Sequence, residues 1–231
     1  QLRRDIMKTI VFDSSSLISL SSSCLFNAAG EMFKSLGIEA VISSGVEAES
    51  VITPINIKRL ELNAIRIKHG IDSGWMRVAG LDEKGDAEIL ALTEKANRCF
   101  STSQGDITIM HRGEVEALVL AEKTGAIALA VDERTARMLV EEPERLRKLL
   151  EARHECTVKK NQQLTSEISE RFAGLKIVRS SEIAALAFEK GFLSKEIGEG
   201  EKALEAALYS LKYQGCALSS DEIEDFLEML K

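Results

Sequence analysis

Residues 111–137 read HRGEVEALVLAEKTGAIALAVDERTAR, and residues 9–20 read TIVFDSSSLISL. The first stretch predicts a helix over Glu114–Lys123 and then a short apolar strand, Ile127–Val131, that ends in Asp132. The second predicts a β-branched and aromatic strand, Thr9–Phe12, that ends in Asp13 and runs into a helix capped by Ser14 or Ser15. Outward from these, Ile38–Ile42 predicts a further strand, followed by a loop, SSGVEAESV, that leads into a helix. The pattern then gives a helix over Ile55–His69, a strand over Gly74–Val78, a helix over Glu83–Asn97 and a short strand or turn over Gly105–Met110. Leu139, Leu146 and Leu150 share one helical face, as do Leu164, Ile168 and Phe172. Leu175–Val178 predicts a last strand, and helices are expected over Ala184–Lys190, Lys202–Tyr213 and Ser220–Leu230. Strands alternating with helices specify an α/β fold with a central parallel sheet covered on both faces, joined by right-handed crossovers.

No repeat or linker divides the chain, so residues 1–231 are expected to form one domain. Residues 138–174 stand out as a helical insertion whose two apolar faces suit a helical hairpin. The 231 residues are 45% hydrophobic and 29% charged, enough to bury a core without staples. Two prolines and fifteen glycines exclude a collagen-like or linker-dominated chain. No apolar run approaches the ~20 residues of a bilayer span, so no membrane partner is expected. The polar Gln1–Ile6 does not resemble a signal segment, and Met7, directly before KTIVFD, is a candidate natural start. The four cysteines include no C-x-x-C pair and read as reduced thiols of a cytoplasmic protein. The net charge of −7 is uneven: residues 181–231 hold eleven acids and five bases, leaving −1 for the first 180 residues. The body is therefore nearly balanced, and counterion-release binding to a phosphate backbone needs only local basic patches.

In an open α/β sheet, ligands bind beyond the carboxyl ends of the strands. If the two strands that end in aspartate are neighbours, Asp13 and Asp132 face one crevice. Glu114 opens the helix that returns to the same end, and Glu49, with Glu47 two residues away as the other choice, could complete a set. A strand-end aspartate also serves as a helix cap, and Glu114 and Glu116 suit a helix dipole as solvated acids. Four converging carboxylates repel one another unless protonated or neutralised, and hard divalent cations are the usual solution. The chemistry of such a site is metal-assisted phosphodiester hydrolysis. No phosphate-cradling glycine loop, D-x-D pair or G-x-S-x-G elbow offers another reaction.

These residues resemble the PIN-domain family of metal-dependent ribonucleases. TIVFDSSSLISL is similar to its first strand, acid and hydroxyl-rich helix start. HRGEVEALVLAEKTGAIALAVDERTAR is similar to a branch with a Gly-Glu-x-Glu-Ala helix start and a strand ending in an aspartate before an Ala-Arg pair. VISSGVEAES resembles the segment of the second acid, with Glu49 the better match, and the C-terminal helices resemble those of the same branch. The resemblance implies a three-layer α/β/α sandwich and a Mg²⁺ or Mn²⁺ pocket of Asp13, Glu49, Glu114 and Asp132. The resemblance gives Ser15 the part of orienting water or metal, beside Arg112 and Arg134, whose nearness to the acids suits either a scissile-phosphate contact or surface ion pairing. It further implies endonucleolytic cleavage of RNA, commonly as the VapC-like toxin of a toxin–antitoxin pair with a small antitoxin partner. Three departures stand out: Glu114 where many members carry Asp, Ala130 where many carry a hydroxyl or acid, and the long 138–174 segment. The first two frame the alternative of a catalytically silent PIN-like scaffold for RNA or protein, and the third suggests an added role. The insertion, with Arg145, Arg147, Lys148, Arg153, Lys159 and Lys160, would grip RNA, close a homodimer or simply pack on its own body.

Overall fold

The computed structural model describes residues 8–198 and 200–229. Gln1–Ile6, Met7 and Leu230, on which three of the expectations above fall, lie outside them. Among the described residues eight strands occur in chain order: β1 (Lys8–Phe12), β2 (Ile38–Ser43), β3 (Met76–Ala79), β4 (Phe100–Thr102), β5 (Gly105–Asp106), β6 (Ala128–Ala130), β7 (Lys159–Lys160) and β8 (Ile177–Val178). Five of them form a parallel sheet in the order β3-β2-β1-β6-β8. Phe12 of β1 lies beside Ile42 on one flank and beside Ala130 on the other.

Burial on both faces explains why these strands are continuous apolar runs. Successive side chains alternate across the sheet. Ile10 and Phe12 enter one core with Leu17, Phe26, Met32 and Trp75, which the C-terminal helices complete through Leu204, Leu208 and Leu211. Val11 enters the other with Ile89, Leu118, Leu139, Leu146 and Phe172. The result is the expected three-layer α/β/α sandwich. Among the described residues no helix is long and apolar enough to cross a membrane.

Sequence and structure differ in four places. The cap of the Ser14–Ser22 helix is Asp13 itself, whose carboxylate accepts from the Ser15 amide, so neither serine caps it. The expected loop after β2 is helical at once: a turn over Ser44–Glu47 passes into a π-helical turn over Ala48–Ile52. The expected Ile55–His69 helix divides into a 3₁₀ turn at Pro54–Asn56 and a helix over Glu61–Asp72. Finally, β4 and β7 were not legible as strands; with β5 they form a small antiparallel sheet, Phe100 lying beside Lys160.

That small sheet reshapes the insertion. Its helices, Pro143–His154 and Gln162–Phe172, are separated by β7, and both pack on the Arg134–Glu141 helix. Ser169 Oγ donates to Leu139 O at 3.1 Å. Of the readings open for this segment, packing on its own body is the one the contacts match. Leu146, Leu150, Ile168 and Phe172 are buried in the same core as β1, so the segment is part of the body.

Candidate active site

Sheet order reverses between β1 and β6: the chain builds β2 and β3 on one side of β1, then returns to the other. This is the switch point at which α/β sheets open a crevice. Asp13 leaves β1 there, and Asp132 lies two residues past the end of β6. A cavity of about 820 Å³ opens above them. Asp13, Ser15, Glu49, Glu114 and Glu133 line one part of it. The β4–β5 hairpin and the end of the Pro143–His154 helix, including Arg153 and His154, line the rest.

Asp13 is 2% exposed. Its Oδ2 accepts from the Ser15 amide at 3.0 Å and from Ser15 Oγ at 2.6 Å, while its buried Oδ1 has no partner. Burial pushes the Asp13 carboxyl up, against the Ser15 hydrogen bonds, and the nearby Glu49 carboxylate adds to the rise.

Glu49 sits on the π-helical turn, a local widening often found at functional sites. Its Oε2 accepts from Ser14 Oγ at 3.0 Å. Gly113 leaves the space it needs: a Cβ there would stand 2.8 Å from Glu49 Oε1. Glu47 does not line the cavity, which resolves the choice between the two acids on position.

Glu114 is at the third position of the Arg112–Thr124 helix, and its Oε2 accepts from the His111 amide at 2.7 Å. Burial pushes its carboxyl up to about 7, and repulsion from Asp13, Glu133 and Glu49 contributes to that rise. Glu116, two residues on, faces elsewhere. It is buried and accepts from the Gly45 amide at 3.2 Å, holding the Ser44–Glu47 turn.

The fourth acid and the two arginines are placed differently from expectation. Asp132 is 1% exposed and does not line the cavity. Its Oδ1 accepts from the Ser180 amide at 2.7 Å and its Oδ2 from Ser180 Oγ at 2.6 Å, at the N-terminus of the Ser180–Glu189 helix, where a negative charge is favoured. Glu133 lines the cavity in its stead, with Oε1 accepting from Thr135 Oγ1 at 2.9 Å. Arg112 pairs with Asp86 at 2.6 Å on the surface, and Arg134 lines a different cleft; neither lines the acidic cavity. Adjacent residues of an extended segment point to opposite sides, so the Asp132–Glu133 pair carried a signal that either could be the cavity acid. His111 and His154 had none, whereas Arg153 stood among the insertion cations expected to grip RNA.

The donor set is hard oxygen, and the orphaned Asp13 Oδ1 is a vacant donor of the kind a magnesium or manganese ion takes. The residues therefore fit such an ion by type. Among the described residues, no three His, Cys, Asp or Glu side chains yet stand close enough to grip one together. Glu114 and Glu49 are instead turned to the His111 amide and Ser14.

A parallel α/β/α sandwich with acids gathered at its switch point belongs to the open-sheet α/β class, whose ligands bind beyond the carboxyl ends of the strands. Residues 9–144 match the family model of the PIN domain. The chain belongs to the PIN-domain family, whose fold is of nuclease type. The match takes in β1 to β6 and the candidate acids, while β8 and the C-terminal helices lie beyond it. Searches of curated proteins and of solved structures returned no match.

Proposed function

We propose that this chain is a metal-dependent endoribonuclease. The observation that carries the reading is the buried, unpartnered Asp13 Oδ1 beside a cavity that Glu49, Glu114 and Glu133 also line. Asp13, Glu49 and Glu114 would hold Mg²⁺ or Mn²⁺, with Glu133 in the part first expected of Asp132. A bound divalent ion supplies charge neutralisation at phosphorus and a more acidic water. The chain's own residues prepare the ground for hydrolysis, in which water adds across an RNA phosphodiester to leave one phosphate end and one hydroxyl end. Ser15 fixes the Asp13 carboxylate, and the Arg112–Thr124 helix fixes Glu114. The role of a VapC-like toxin would add a small antitoxin partner, read by co-purification with the product of an adjoining short reading frame.

A second reading, the catalytically silent RNA- or protein-binding scaffold, is favoured by one observation: both Asp132 oxygens are taken by Ser180. The deciding experiment incubates labelled single-stranded RNA with the protein in Mg²⁺, in Mn²⁺ and in EDTA, alongside Asp13→Asn and Glu114→Gln. Cleavage that needs a divalent ion and is lost in both variants supports the enzyme. Cleavage that survives both refutes the site, and binding without cleavage in either metal supports the scaffold.

A further inference from the structure

The insertion carries a second cavity, separate from the acidic one. About 360 Å³ in volume, it is walled by Arg134 and Arg137 from one helix, Arg145 and Lys148 from the next, and Glu222 from the C-terminal helix. Four cations thus surround one carboxylate, in a chain whose total charge is −7.

Those cations are largely uncommitted. Among the described residues neither Arg134 nor Lys148 has an ion-pair partner. Arg137 reaches Glu141 only at 4.0 Å, and Arg145 pairs with Glu142 at 3.1 Å while 72% exposed. Glu222, the single acid in the wall, is already engaged: its Oε1 accepts from Arg179 at 2.8 Å. A concave site with surplus positive charge and guanidinium forks selects phosphate-type oxyanions.

The same two helices wall both cavities. Thr135 faces the acidic cavity while Arg134 and Arg137 face the cationic one. Further along, Arg153 and His154 reach the acidic cavity while Arg145 and Lys148 line the other. We propose that the cationic cleft between the Arg134–Glu141 and Pro143–His154 helices is a phosphate-binding subsite that holds the RNA backbone, with the chain crossing this helix pair to reach the carboxylates. The inference rests on the ribonuclease reading, and it gives the 138–174 segment a function: carrying Arg145 and Lys148 into a cleft of their own, beyond the Arg153 and His154 that reach the acidic cavity. An RNA chain is favoured over a free small anion because the cleft is continuous, through shared helices, with Arg153 and His154.

The test is RNA binding without catalysis. Fluorescence anisotropy of a short fluorescein-labelled single-stranded RNA is followed in EDTA across a salt series, for the full chain and for Arg145→Glu/Lys148→Glu. Lys34→Glu/Lys202→Glu, on exposed lysines outside both cavities, carries the same change in net charge. Losing two phosphate contacts should raise Kd roughly tenfold and lower the slope of log K against log salt by about 1.4, at ~0.7 per contact on a single strand. The control pair should leave both near the parent values. Equal Kd for the two variants overturns the inference, as does failure of the parent to bind RNA. If inorganic phosphate protects the parent but not the cleft variant against heat while RNA binding is unchanged in both, the cleft is a small-anion site and the inference is again overturned. Because EDTA removes metal chemistry, absence of cleavage elsewhere leaves this result standing. Conversely, intact cleavage with unchanged binding removes only the cleft.

Discussion

Ser15 ties Asp13 to the strand that leads to Asp132: its Oγ donates to Asp13 Oδ2 at 2.6 Å and accepts from the Asp132 amide at 3.1 Å. One hydroxyl thus joins the ends of β1 and β6 across the switch point. Ser15→Ala strips both hydrogen bonds and leaves the Asp132 amide unpaired in a buried setting. A loss of about 1–3 kcal/mol is expected, read as a lower urea midpoint at unchanged slope. The Asp13 carboxyl loses the interaction that most opposes its upward shift, so it should hold its proton to still higher pH. A midpoint equal to the parent's would show that the bridge contributes nothing.

Two glycines separate function from stability. At Gly113 an added Cβ would meet the far end of the Glu49 side chain, at 2.8 Å from Oε1 and 3.1 Å from Oε2. Glu49 is exposed and can swing aside, and alanine suits a helix better than glycine by about 1 kcal/mol. Gly113→Ala should therefore melt at or above the parent temperature and lose roughly tenfold or more in metal-dependent cleavage, since about 1.4 kcal/mol of lost positioning has that effect. At Gly45 the added Cβ would stand 2.2 Å from Oε2 of Glu116, which is 7% exposed and held by the Gly45 amide. Gly45→Ala should destabilise by about 2 kcal/mol, as burying misplaced polar groups does. The reverse order of stabilities would contradict this division of roles.

The sequence revealed the sheet because buried parallel strands are uninterrupted apolar runs: TIVF, IEAVI and IALAV all lie in it. Aspartates at two strand ends marked the right edge of that sheet. The path of the carboxylates was less legible. Whether Asp132 points into the crevice depends on Ser180, which is 48 residues away in sequence and reaches it only through tertiary packing. The pairing of β4 with β7 was hidden for the same reason: both are 2–3 residues long, and Lys159–Lys160 has no strand-like pattern at all. Arg112 and Arg134 stand near the acids in sequence, but helix geometry turns both away from the acidic cavity. The cationic residues of the insertion were visible one by one, whereas their meeting with Arg134 around a cleft depended on how that segment packs.

The roles of Asp132 and Glu133 can be exchanged experimentally. Asp132→Ala leaves the Ser180 amide and hydroxyl without their acceptor and should cost about 3 kcal/mol, while Asp132→Asn keeps an acceptor oxygen for the amide and should retain most of the stability. Glu133 is exposed, so Glu133→Gln should leave the melting temperature within a degree or two, a change well under 1 kcal/mol. If Glu133 is the cavity acid, Glu133→Gln should weaken Mn²⁺ stabilisation of the protein and Asp132→Asn should not. The opposite pattern would return the ligand role to Asp132.

Metal removal has its own signature at Glu114. In EDTA its half-buried carboxyl, pushed up to about 7 first by burial, also faces Asp13, Glu133 and Glu49 with no cation present. Glu114→Gln keeps an acceptor for the His111 amide and removes the charge, so the variant should be about 1–2 kcal/mol more stable than the parent at pH 8 in EDTA. Saturating Mn²⁺ should stabilise the parent but hardly stabilise the variant, because an ion adds stability only through sites that bind it. Equal thermal shifts on adding metal would remove Glu114 from the binding set.

Acid should loosen the C-terminal helices before the sheet. Arg179 is 6% exposed, donates to Ala217 O at 2.8 Å, and pairs with Glu182 and Glu222. Partial burial works against ionisation of Glu222, but the Ser219 amide and Arg179 outweigh it and hold its carboxyl down at about 2, against an ordinary 4.5. A carboxyl lowered on folding contributes stability that is whole above pH 4.5, falls as the pH drops from 4.5 towards 2, and is gone below 2. Because Glu222 is 38% exposed, solvent screening limits the contribution to about 1 kcal/mol. Glu222→Gln should therefore be less stable than the parent by about that amount at pH 7, and the gap should narrow steadily when urea unfolding is repeated below pH 4.5. A gap that stays constant to pH 3 would assign the difference to packing and not to the ion pair.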